Sequence, residues 1–430
     1  MSLAWRATRL ANRSRLCGHS IQTLRRNSTV PLRRRALITD AGIEVTPESS
    51  SQVKRTTLPS LWLRDNCRCT SCINQDTRQR NFNTFDLPKH IKPAEVNAGP
   101  DGLEVKWSGD GHRSHYPWDF ISFYQENNRR ADEDVSYRYW GAEIDENPPT
   151  VGYSEVMDAS EGEKGVADLT RLIREYGFAF VSDCPHDDAG ATEKLLERIA
   201  FIRITHYGGF YDFIPDLALA DTAYTNLALP AHTDNTYFTD PAGLQSFHLM
   251  SHHAPHSSTG SGAAELGGKS LLVDGFHAAN ILRAEDPRAF DILTKVKLPW
   301  HASGNKGITI APDKKYPVIE LDEETGNVHR IRWNNDDRGV VPFTDGISPT
   351  EWYEAARTWY SILTRPEVEC WTQLRPGRPL IFDNWRVLHG RSAFEGVRRI
   401  CGGYINRDDF ISRWRNTNFP REEILSRVVG

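Results

Sequence analysis

The sequence predicts a mainly β protein, in which a β sandwich or jelly roll with flanking helices follows a small β-rich N-terminal domain. Short apolar runs of strand length recur along the larger part of the chain. Segments with helical periodicity lie near the beginning and the end of that part. In the smaller part, apolar and polar residues alternate with the period of a half-buried strand.

The composition of the 430 residues is that of a globular protein, with 39% hydrophobic and 25% charged residues. No run of 18 apolar residues is present, so the sequence excludes an integral membrane protein and predicts no membrane partner. Collagen-like, coiled-coil and mostly disordered chains are excluded as well. The length suits one large domain and one smaller domain.

Residues 1–35 contain nine Arg residues and neither Lys, Asp nor Glu. Arginines that alternate with apolar residues and serines are typical of a transit peptide, so we expect import into the mitochondrial matrix; a basic tail is the alternative. Without those arginines, 43 of the 52 basic residues remain against 57 acidic ones. An acidic body argues against nucleic acid as a partner.

Residues 36–125 form the predicted small domain, with strands expected at 60–64 and 103–107. The polar residues 126–160 read as a linker. Residues 161–430 form the larger domain. Its first helix begins near Glu163 and ends at Gly177, and a loop is expected at 251–268. Further helices are expected at 192–202 and 349–363, and strands at 178–181, 244–249, 270–273, 318–321 and 380–382.

Candidate iron ligands begin with His232 and Asp234, which share one face if they lie on a strand, because residues i and i+2 do so. Together with a second histidine, for which His389 is the candidate, they would form a facial triad. Such a triad leaves three adjacent positions on Fe(II) for a co-substrate and O2. The pair alone often arises by chance. Arg398 strengthens it, because a guanidinium can pair with the distal carboxylate of 2-oxoglutarate.

Three of the seven cysteines, Cys67, Cys69 and Cys72, lie within six residues. This spacing indicates a metal site in a reducing compartment more than a disulfide framework. Structural zinc takes four ligands in a closed tetrahedron, so a fourth must come from elsewhere in the chain. A redox feature or coincidence is the alternative.

The sequence resembles the family of Fe(II)- and 2-oxoglutarate-dependent dioxygenases that hydroxylate γ-butyrobetaine and N6-trimethyllysine in carnitine biosynthesis. The likeness runs from about residue 61 to about 413 and is carried by the stretches 221–234, 271–276, 384–391 and 404–409. It implies a double-stranded β-helix (jelly-roll) catalytic domain, a zinc-binding N-terminal domain and a homodimer. The cofactors it implies are Fe(II), 2-oxoglutarate, O2, ascorbate as reductant and structural zinc.

Carried over by position, the resemblance assigns iron to His232, Asp234 and His389, and 2-oxoglutarate to Arg398. Ser270 would lie near the co-substrate, although an ordinary strand hydroxyl explains it equally well. Zinc would be held by the three clustered cysteines and His112, with His115 and His90 as rivals for the fourth place.

The substrate is expected to be a small quaternary ammonium compound, which proteins hold through cation–π contacts with aromatic faces. The resemblance points to a cage of Tyr207, Tyr211, Tyr224 and Tyr404, although aromatic residues more often belong to a core. Asp221 is a candidate partner for an α-ammonium group, and Asn334 for other polar substrate atoms.

Asn235 follows Asp234 where the butyrobetaine enzymes usually carry an aromatic residue. This departure favours hydroxylation of N6-trimethyllysine at carbon 3, the first step of carnitine biosynthesis. Dioxygenation of γ-butyrobetaine is the alternative. A non-catalytic binding protein with a zinc domain and an inactive jelly roll is a remote one, and the intact triad with Arg398 argues against it.

Overall fold

The computed structural model describes residues 34–47, 55–125, 135–159, 163–215, 225–254, 266–344 and 346–428. The chain divides into two compact units, one of Met1–Asn128 with the last two residues and one of Arg129–Val428. Of the predicted transit peptide, only Arg34 and Arg35 fall within the described residues, where they begin the first strand. No described helix combines the length and the apolar character needed to cross a membrane.

The first unit contains two three-stranded antiparallel sheets. Its strands are β1 (Arg34–Thr39), β2 (Gly42–Pro47), β3 (Thr56–Leu58), β4 (Pro93–Ala98), β5 (Gly102–Trp107) and β6 (Arg113–Pro117). Its helices are α1 (Ser60–Asp65) and α2 (Trp118–Gln125), with a 3-10 turn at Thr84–Asp86. Buried aliphatic and aromatic side chains from both sheets form one core.

The strand expected at 60–64 is wrong, because these residues form α1. Leu63 and Arg64 are buried while Leu61 is exposed, so the alternation in the sequence does not mark a strand face. The helix has six residues, which is fewer than two turns. It packs Leu63 into the core and brings Arg64 to the cysteine cluster.

The second unit contains the remaining elements. Its strands are β7 (Thr150–Gly152), β8 (Phe178–Ser182), β9 (Tyr211–Phe213), β10 (Leu229–His232), β11 (Leu244–His253), β12 (Ser270–Asp274), β13 (Ile319–Leu321), β14 (Val328–Ile331), β15 (Cys370–Thr372), β16 (Leu380–Asp383), β17 (Val387–Arg391) and β18 (Val397–Ile405). Its helices are α3 (Tyr153–Met157), α4 (Lys164–Tyr176), α5 (Gly190–Ile199), α6 (Gly275–Glu285), α7 (Pro287–Lys295), α8 (Pro349–Leu363), α9 (Arg407–Asn418) and α10 (Arg421–Val428), with a 3-10 turn at Ala142–Glu146.

Two sheets form the body of this unit, one in the order β7-β8-β16-β11-β18-β9 and one in the order β10-β17-β12-β15. A single cluster of buried residues joins side chains of both sheets, among them Phe178, Phe382, Leu272 and Val387. Helices α4, α5 and α9 contribute to a second cluster with the six-stranded sheet, and α6, α7 and α8 to a third with the four-stranded sheet. The predicted sandwich with flanking helices is thereby confirmed.

Part of the predicted linker belongs to the second unit instead. Strand β7 pairs in parallel with β8, and Trp140 is buried in the core between the sheets. Val151 and Val156, in the same mostly polar segment, are buried in the cluster that the six-stranded sheet forms with its helices. By contrast, α4 follows its prediction: it ends at Gly177, whose φ of 84° is a conformation that glycine adopts without strain.

Candidate functional site

The candidate iron ligands meet because β10 and β17 are antiparallel neighbours in the four-stranded sheet. His232 on β10 lies directly opposite His389 on β17. Gly390 allows the close approach, because a Cβ there would lie 2.5 Å from the carbonyl oxygen of Leu229. Asp234 follows β10 by two residues. Pairing of strands more than 150 residues apart in sequence therefore brings the three side chains together.

The three ligand atoms fit a single metal ion. The Nε2 atoms of His232 and His389 lie 3.3 Å and 3.8 Å from Oδ1 of Asp234. All three donor atoms are within 4.8 Å of one another. His232 donates its Nδ1 proton to the carbonyl oxygen of Pro230 at 2.8 Å, which leaves Nε2 free for a metal. Two imidazoles and one carboxylate are the donor set that non-haem Fe(II) takes.

Burial and the charges within the cluster act together on the pKa values of these three side chains. Burial lowers the pKa of His389 to about 3, with a further contribution from His232, so this imidazole is neutral as a metal ligand must be. Burial also acts to lower the pKa of His232, but the hydrogen bond and charge of Asp234 outweigh it and raise that pKa. Burial would raise the pKa of Asp234, yet the two histidines hold it well below its usual range.

One cavity of about 160 Å³ contains this cluster. It lies among strands of both sheets, and its wall includes every described residue that was predicted for the iron, co-substrate or substrate site. These residues are Tyr207, Tyr211, His232, Asp234, Ser270, Asn334, His389, Arg398 and Tyr404. Asp221 and Tyr224 lie outside the described residues.

Arg398 is a buried cation on the wall of this cavity. Burial lowers the pKa of its guanidinium to about 9, and the neighbouring Arg391 contributes to the shift. Within the described part of the chain, no carboxylate pairs with Arg398, and its Nε has no hydrogen-bond partner. Ser270 lies opposite Arg391 in the register of β12 and β17. A buried guanidinium without an acidic partner fits the carboxylate of 2-oxoglutarate.

Aromatic side chains also line the cavity. The rings of Tyr211 and Tyr404 lie 6.1 Å apart, nearly edge to face, and Tyr207 is on the same wall. Tyr237 also lines the cavity, and its pKa is raised by burial and by the charge of Asp234. Sequence reasoning missed Tyr237, although its position three residues after Asp234 was a usable signal.

Asn384 is a second residue that the motif analysis did not single out. Its fully buried side chain accepts a hydrogen bond from the backbone N–H of Asp234 at 2.8 Å. It donates to the carbonyl oxygens of Asp234 and Ala242 at 2.9 Å and 3.1 Å. Asn384 therefore ties the segment that carries Asp234 to the turn before β17.

The position of Asn235 in the structure does not support the preference for N6-trimethyllysine that was inferred from this residue. Its side chain is 1% exposed and is absent from the cavity wall, so it does not face a substrate there. The backbone offers a different reason for asparagine at this position. With φ at 58°, residue 235 is in the left-handed region, which asparagine tolerates better than an aromatic residue.

Asn334 lies on the cavity wall together with two carboxylates, Asp336 and Asp337. The hydroxyl of Thr236 donates to Asp337 at 2.7 Å, and Asp336 is exposed. These acids were not predicted as site residues. They stand in a polar run, where the sequence offers no signal that separates a site residue from an ordinary surface residue.

The second candidate metal site lies in the first unit. The Nε2 of His112 is 3.4 Å, 3.6 Å and 3.5 Å from the sulfur atoms of Cys67, Cys69 and Cys72. A zinc tetrahedron with bonds of about 2.3 Å to sulfur and about 2.0 Å to nitrogen has edges of roughly 3.6 Å between them. Of the three candidate histidines, the structure brings His112 to the cluster.

Burial and the charge of Arg64 affect the protonation of this cluster. Burial and the neighbouring Cys67 raise the pKa of Cys72 to about 12, so this thiol ionises only if a metal replaces its proton. Burial and the charge of Arg64 lower the pKa of His112, which keeps the imidazole neutral. Arg64 itself donates to the sulfur of Cys72 at 3.2 Å.

Two family models match the chain. The model described as taurine catabolism dioxygenase TauD, TfdA family, matches residues 132–404. The model described as gamma-butyrobetaine hydroxylase-like, N-terminal, matches residues 47–122. A taurine dioxygenase structure from Burkholderia xenovorans overlaps 62% of this chain and 89% of its own at 14% identity and a TM-score of 0.43, too loosely to add to these matches.

Relatives of known name are much closer in sequence. A trimethyllysine dioxygenase of Neurospora crassa is 61% identical over 92% of this chain and 88% of its own. A trimethyllysine dioxygenase of Meyerozyma guilliermondii is 38% identical over 86% of this chain and 92% of its own. The mitochondrial trimethyllysine dioxygenase of Homo sapiens is 37% identical over 83% of this chain and 81% of its own. This chain belongs to the TauD/TfdA family of Fe(II)- and 2-oxoglutarate-dependent dioxygenases and, within it, to the family of the trimethyllysine dioxygenases.

Proposed function

We propose that the enzyme hydroxylates N6-trimethyllysine at carbon 3, the first step of carnitine biosynthesis. The observation that carries the proposal is the 61% identity to a trimethyllysine dioxygenase over 92% of the chain. The nine predicted site residues on one cavity wall support it. γ-Butyrobetaine is the rival substrate, because the N-terminal family model is named for the enzyme that hydroxylates it.

His232, Asp234 and His389 would hold Fe(II), which together with 2-oxoglutarate and O2 supplies the oxidising chemistry for an unactivated C–H bond. Arg398 would bind the distal carboxylate of 2-oxoglutarate. Because the guanidinium is buried, this pair is screened little by water and fixes the orientation of the co-substrate. The hydroxyl of Ser270 would add a hydrogen bond.

Tyr207, Tyr211 and Tyr404, with Tyr224 outside the described residues, would hold the trimethylammonium group. Each favourable ring face contributes about 0.5–2 kcal/mol to binding a cation. The apolar side chains of Leu229, Phe247 and Ile400 complete the wall and exclude water. The protein residues thus perform little acid–base work. They fix which C–H bond faces the metal site.

The amino-acid end of trimethyllysine requires an anion for its α-ammonium group and donors for its α-carboxylate. We assign Asp221 to the α-ammonium group and Asn334 to polar atoms of the substrate. Asp336 and Asp337, on the same wall as Asn334, are further candidates for the ammonium. γ-Butyrobetaine has no such amine and cannot form an ion pair with any of these acids.

Four further features complete the proposal. Cys67, Cys69, Cys72 and His112 hold a structural zinc ion with no open coordination position. Ascorbate maintains the iron in the Fe(II) state. The family resemblance favours a homodimer. Residues 1–35 direct the enzyme to the mitochondrial matrix, in line with the mitochondrial relatives from mammals.

The test is product analysis by mass spectrometry. Purified enzyme with Fe(II), 2-oxoglutarate and ascorbate should convert N6-trimethyllysine to a product 16 Da heavier, with the hydroxyl at carbon 3 and one succinate per turnover. His389→Ala should yield neither succinate nor product while remaining folded. Turnover of γ-butyrobetaine alone would transfer the proposal to the rival substrate, and activity in His389→Ala would overturn the iron site.

A further inference from the structure

The two carboxylate oxygens of Asp234 have different surroundings. Oδ1 faces the Nε2 atoms of His232 and His389, at 3.3 Å and 3.8 Å. Oδ2 accepts two hydrogen bonds, one from Nε2 of Gln245 and one from the hydroxyl of Tyr404, each 2.7 Å long. One oxygen is thus directed to the candidate metal position, and the other is held by neutral donors.

The two donors are placed by the six-stranded sheet. Gln245 on β11 and Tyr404 on β18 are direct partners in the antiparallel register, so their side chains leave the same face of the sheet side by side. Gln245 is 2% exposed and Tyr404 is 7% exposed. Asp234 stands outside this sheet, in the segment that follows β10. The two hydrogen bonds therefore link the ligand to a second, independent part of the scaffold.

We propose that Gln245 and Tyr404 are positioning residues, which orient Asp234 so that Oδ1 rather than Oδ2 faces the metal. The inference rests on the proposed iron site. A carboxylate can rotate about its χ2 torsion, and in this cavity the two donors oppose that rotation. Hydrogen bonds to an ionised acceptor are short and strong. The two hydrogen bonds from Gln245 and Tyr404 therefore hold the Asp234 carboxylate in place before the metal binds. Tyr404 thereby has a role in addition to its place in the aromatic cage.

Tyr211 provides a matched control within the same cavity. Its hydroxyl donates to the backbone carbonyl oxygen of Ser246 at 2.6 Å and does not bond to Asp234. Tyr211→Phe and Tyr404→Phe therefore remove the same atom from neighbouring rings. Only the second change releases the iron ligand. Gln245→Leu removes the other donor at nearly constant volume.

The experiment titrates metal-free protein with Mn(II) alone and follows free Mn(II) by electron paramagnetic resonance. We expect Tyr404→Phe and Gln245→Leu each to raise the Mn(II) dissociation constant about 10-fold or more, as loss of a hydrogen-bond partner of a metal ligand typically does. Tyr211→Phe should leave the constant within twofold of the wild type. The melting temperatures of the metal-free variants report any general loss of structure.

A role limited to stability would lower the melting temperature of the metal-free protein and leave the Mn(II) constant unchanged. An unchanged or smaller constant in both Tyr404→Phe and Gln245→Leu would therefore overturn the inference. His232→Ala separates this result from failure of the iron site, because it should abolish Mn(II) binding. If His232→Ala binds Mn(II) as the wild type does, the proposed iron site itself is wrong.

Discussion

At the scale of single residues, Arg398 combines a buried position with the lack of an acidic partner among the described residues. A guanidinium loses much of its hydration in a cavity wall, and here no described carboxylate compensates it. Its neighbour Arg399 points out of the cavity and pairs with Asp212 at 2.5 Å and 2.8 Å. The side chains of these adjacent arginines therefore have different surroundings, because successive side chains on a strand face opposite sides of the sheet.

This pair allows a controlled prediction. Arg398→Ala should raise the KM for 2-oxoglutarate about tenfold or more, because a charge-assisted hydrogen bond contributes roughly 1.5–3 kcal/mol. Arg399→Ala removes the same side chain on the other face and should leave this KM within twofold. Steady-state succinate formation at varied 2-oxoglutarate measures both. An unchanged KM in Arg398→Ala would assign the co-substrate carboxylate to another residue.

Local spacing marks only some of the predicted residues, and the others, such as His389 and His112, were assigned by the family resemblance. His232 and Asp234 are two residues apart, and the clustered cysteines lie within six residues. Gln245 and Asn384 act on Asp234 through hydrogen bonds across 11 and 150 residues of chain. Neither has a spacing that marks it, so their roles follow only from the pairing of strands.

At the scale of secondary-structure elements, His248 shows how the sandwich is tied to its helices. The histidine lies on β11, and its Nδ1 is 2.6 Å from the hydroxyl of Thr192 on α5. Its Nε2 accepts a hydrogen bond from the backbone N–H of Gly377 at 2.9 Å, in the turn before β16. The accepting nitrogen requires a neutral ring. Burial, with a smaller contribution from His186, lowers the pKa of His248 to about 4.

The pH dependence of stability follows from this pKa. In the unfolded chain the histidine titrates near 6.5, so between about pH 6.5 and pH 4 the unfolded state binds the additional proton. The stability that His248 contributes is present above pH 6.5 and is lost as the pH falls toward 4, by roughly 2–3 kcal/mol.

His248→Gln retains polar atoms without a titrating ring. It should therefore flatten the pH dependence in that window relative to the wild type. Urea-denaturation midpoints of both proteins at pH 7, 6, 5 and 4.5 measure the difference. Parallel midpoint curves would show that His248 is not the group responsible.

Among the elements, the helices predicted at 163–177, 192–202 and 349–363 correspond to α4, α5 and α8, because burial of one face dictates their patterns, whereas α6, α7 and α9 were not predicted. The helix at 349–363 was predicted at its observed bounds, where Ser348 caps it and Glu351 returns the hydrogen bond. The helix α1 was missed, because six residues are too few to distinguish an alternating pattern from a single turn. Arg64 of this helix contacts the sulfur of Cys72, and the apolar pattern of the helix does not predict that contact.

At the scale of the whole molecule, the two units have separate hydrophobic cores, so their stabilities need not follow one transition. The smaller unit has a modest core and, in the proposal, a metal ion that compensates for it. Metal analysis should find about one zinc per chain in addition to iron. Cys69→Ser should lose that zinc and lower the melting temperature of the first unit.

His115 is the matched control for this prediction. It is exposed on β6, three residues after His112, and was a rival for the fourth ligand position. His115→Ala should retain zinc, whereas His112→Ala should lose it. Full zinc content in His112→Ala would show that His112 is not the fourth ligand and would leave His115 and His90 as the candidates.

In the proposal, substrate choice depends on the whole cavity, because its wall must accommodate both ends of the substrate. Both candidate substrates offer a trimethylammonium group to the tyrosines, so the cage cannot separate them. The other end must do so, through acids that pair with the α-ammonium group of trimethyllysine only. A charge-assisted hydrogen bond of roughly 1.5–3 kcal/mol corresponds to a preference for trimethyllysine of about tenfold or more in kcat/KM.

Asp221→Ala should diminish this preference, and Asp336→Ala tests one of the two acids that lie with Asn334 on the cavity wall. Each variant should lose kcat/KM for trimethyllysine and retain that for γ-butyrobetaine, because only the first substrate carries the amine. Steady-state kinetics on both substrates with saturating 2-oxoglutarate, Fe(II) and ascorbate make the comparison. Equal losses on both substrates would exclude a role in recognising the ammonium group. Better turnover of γ-butyrobetaine by the wild type would reverse the substrate assignment and leave the iron chemistry unchanged.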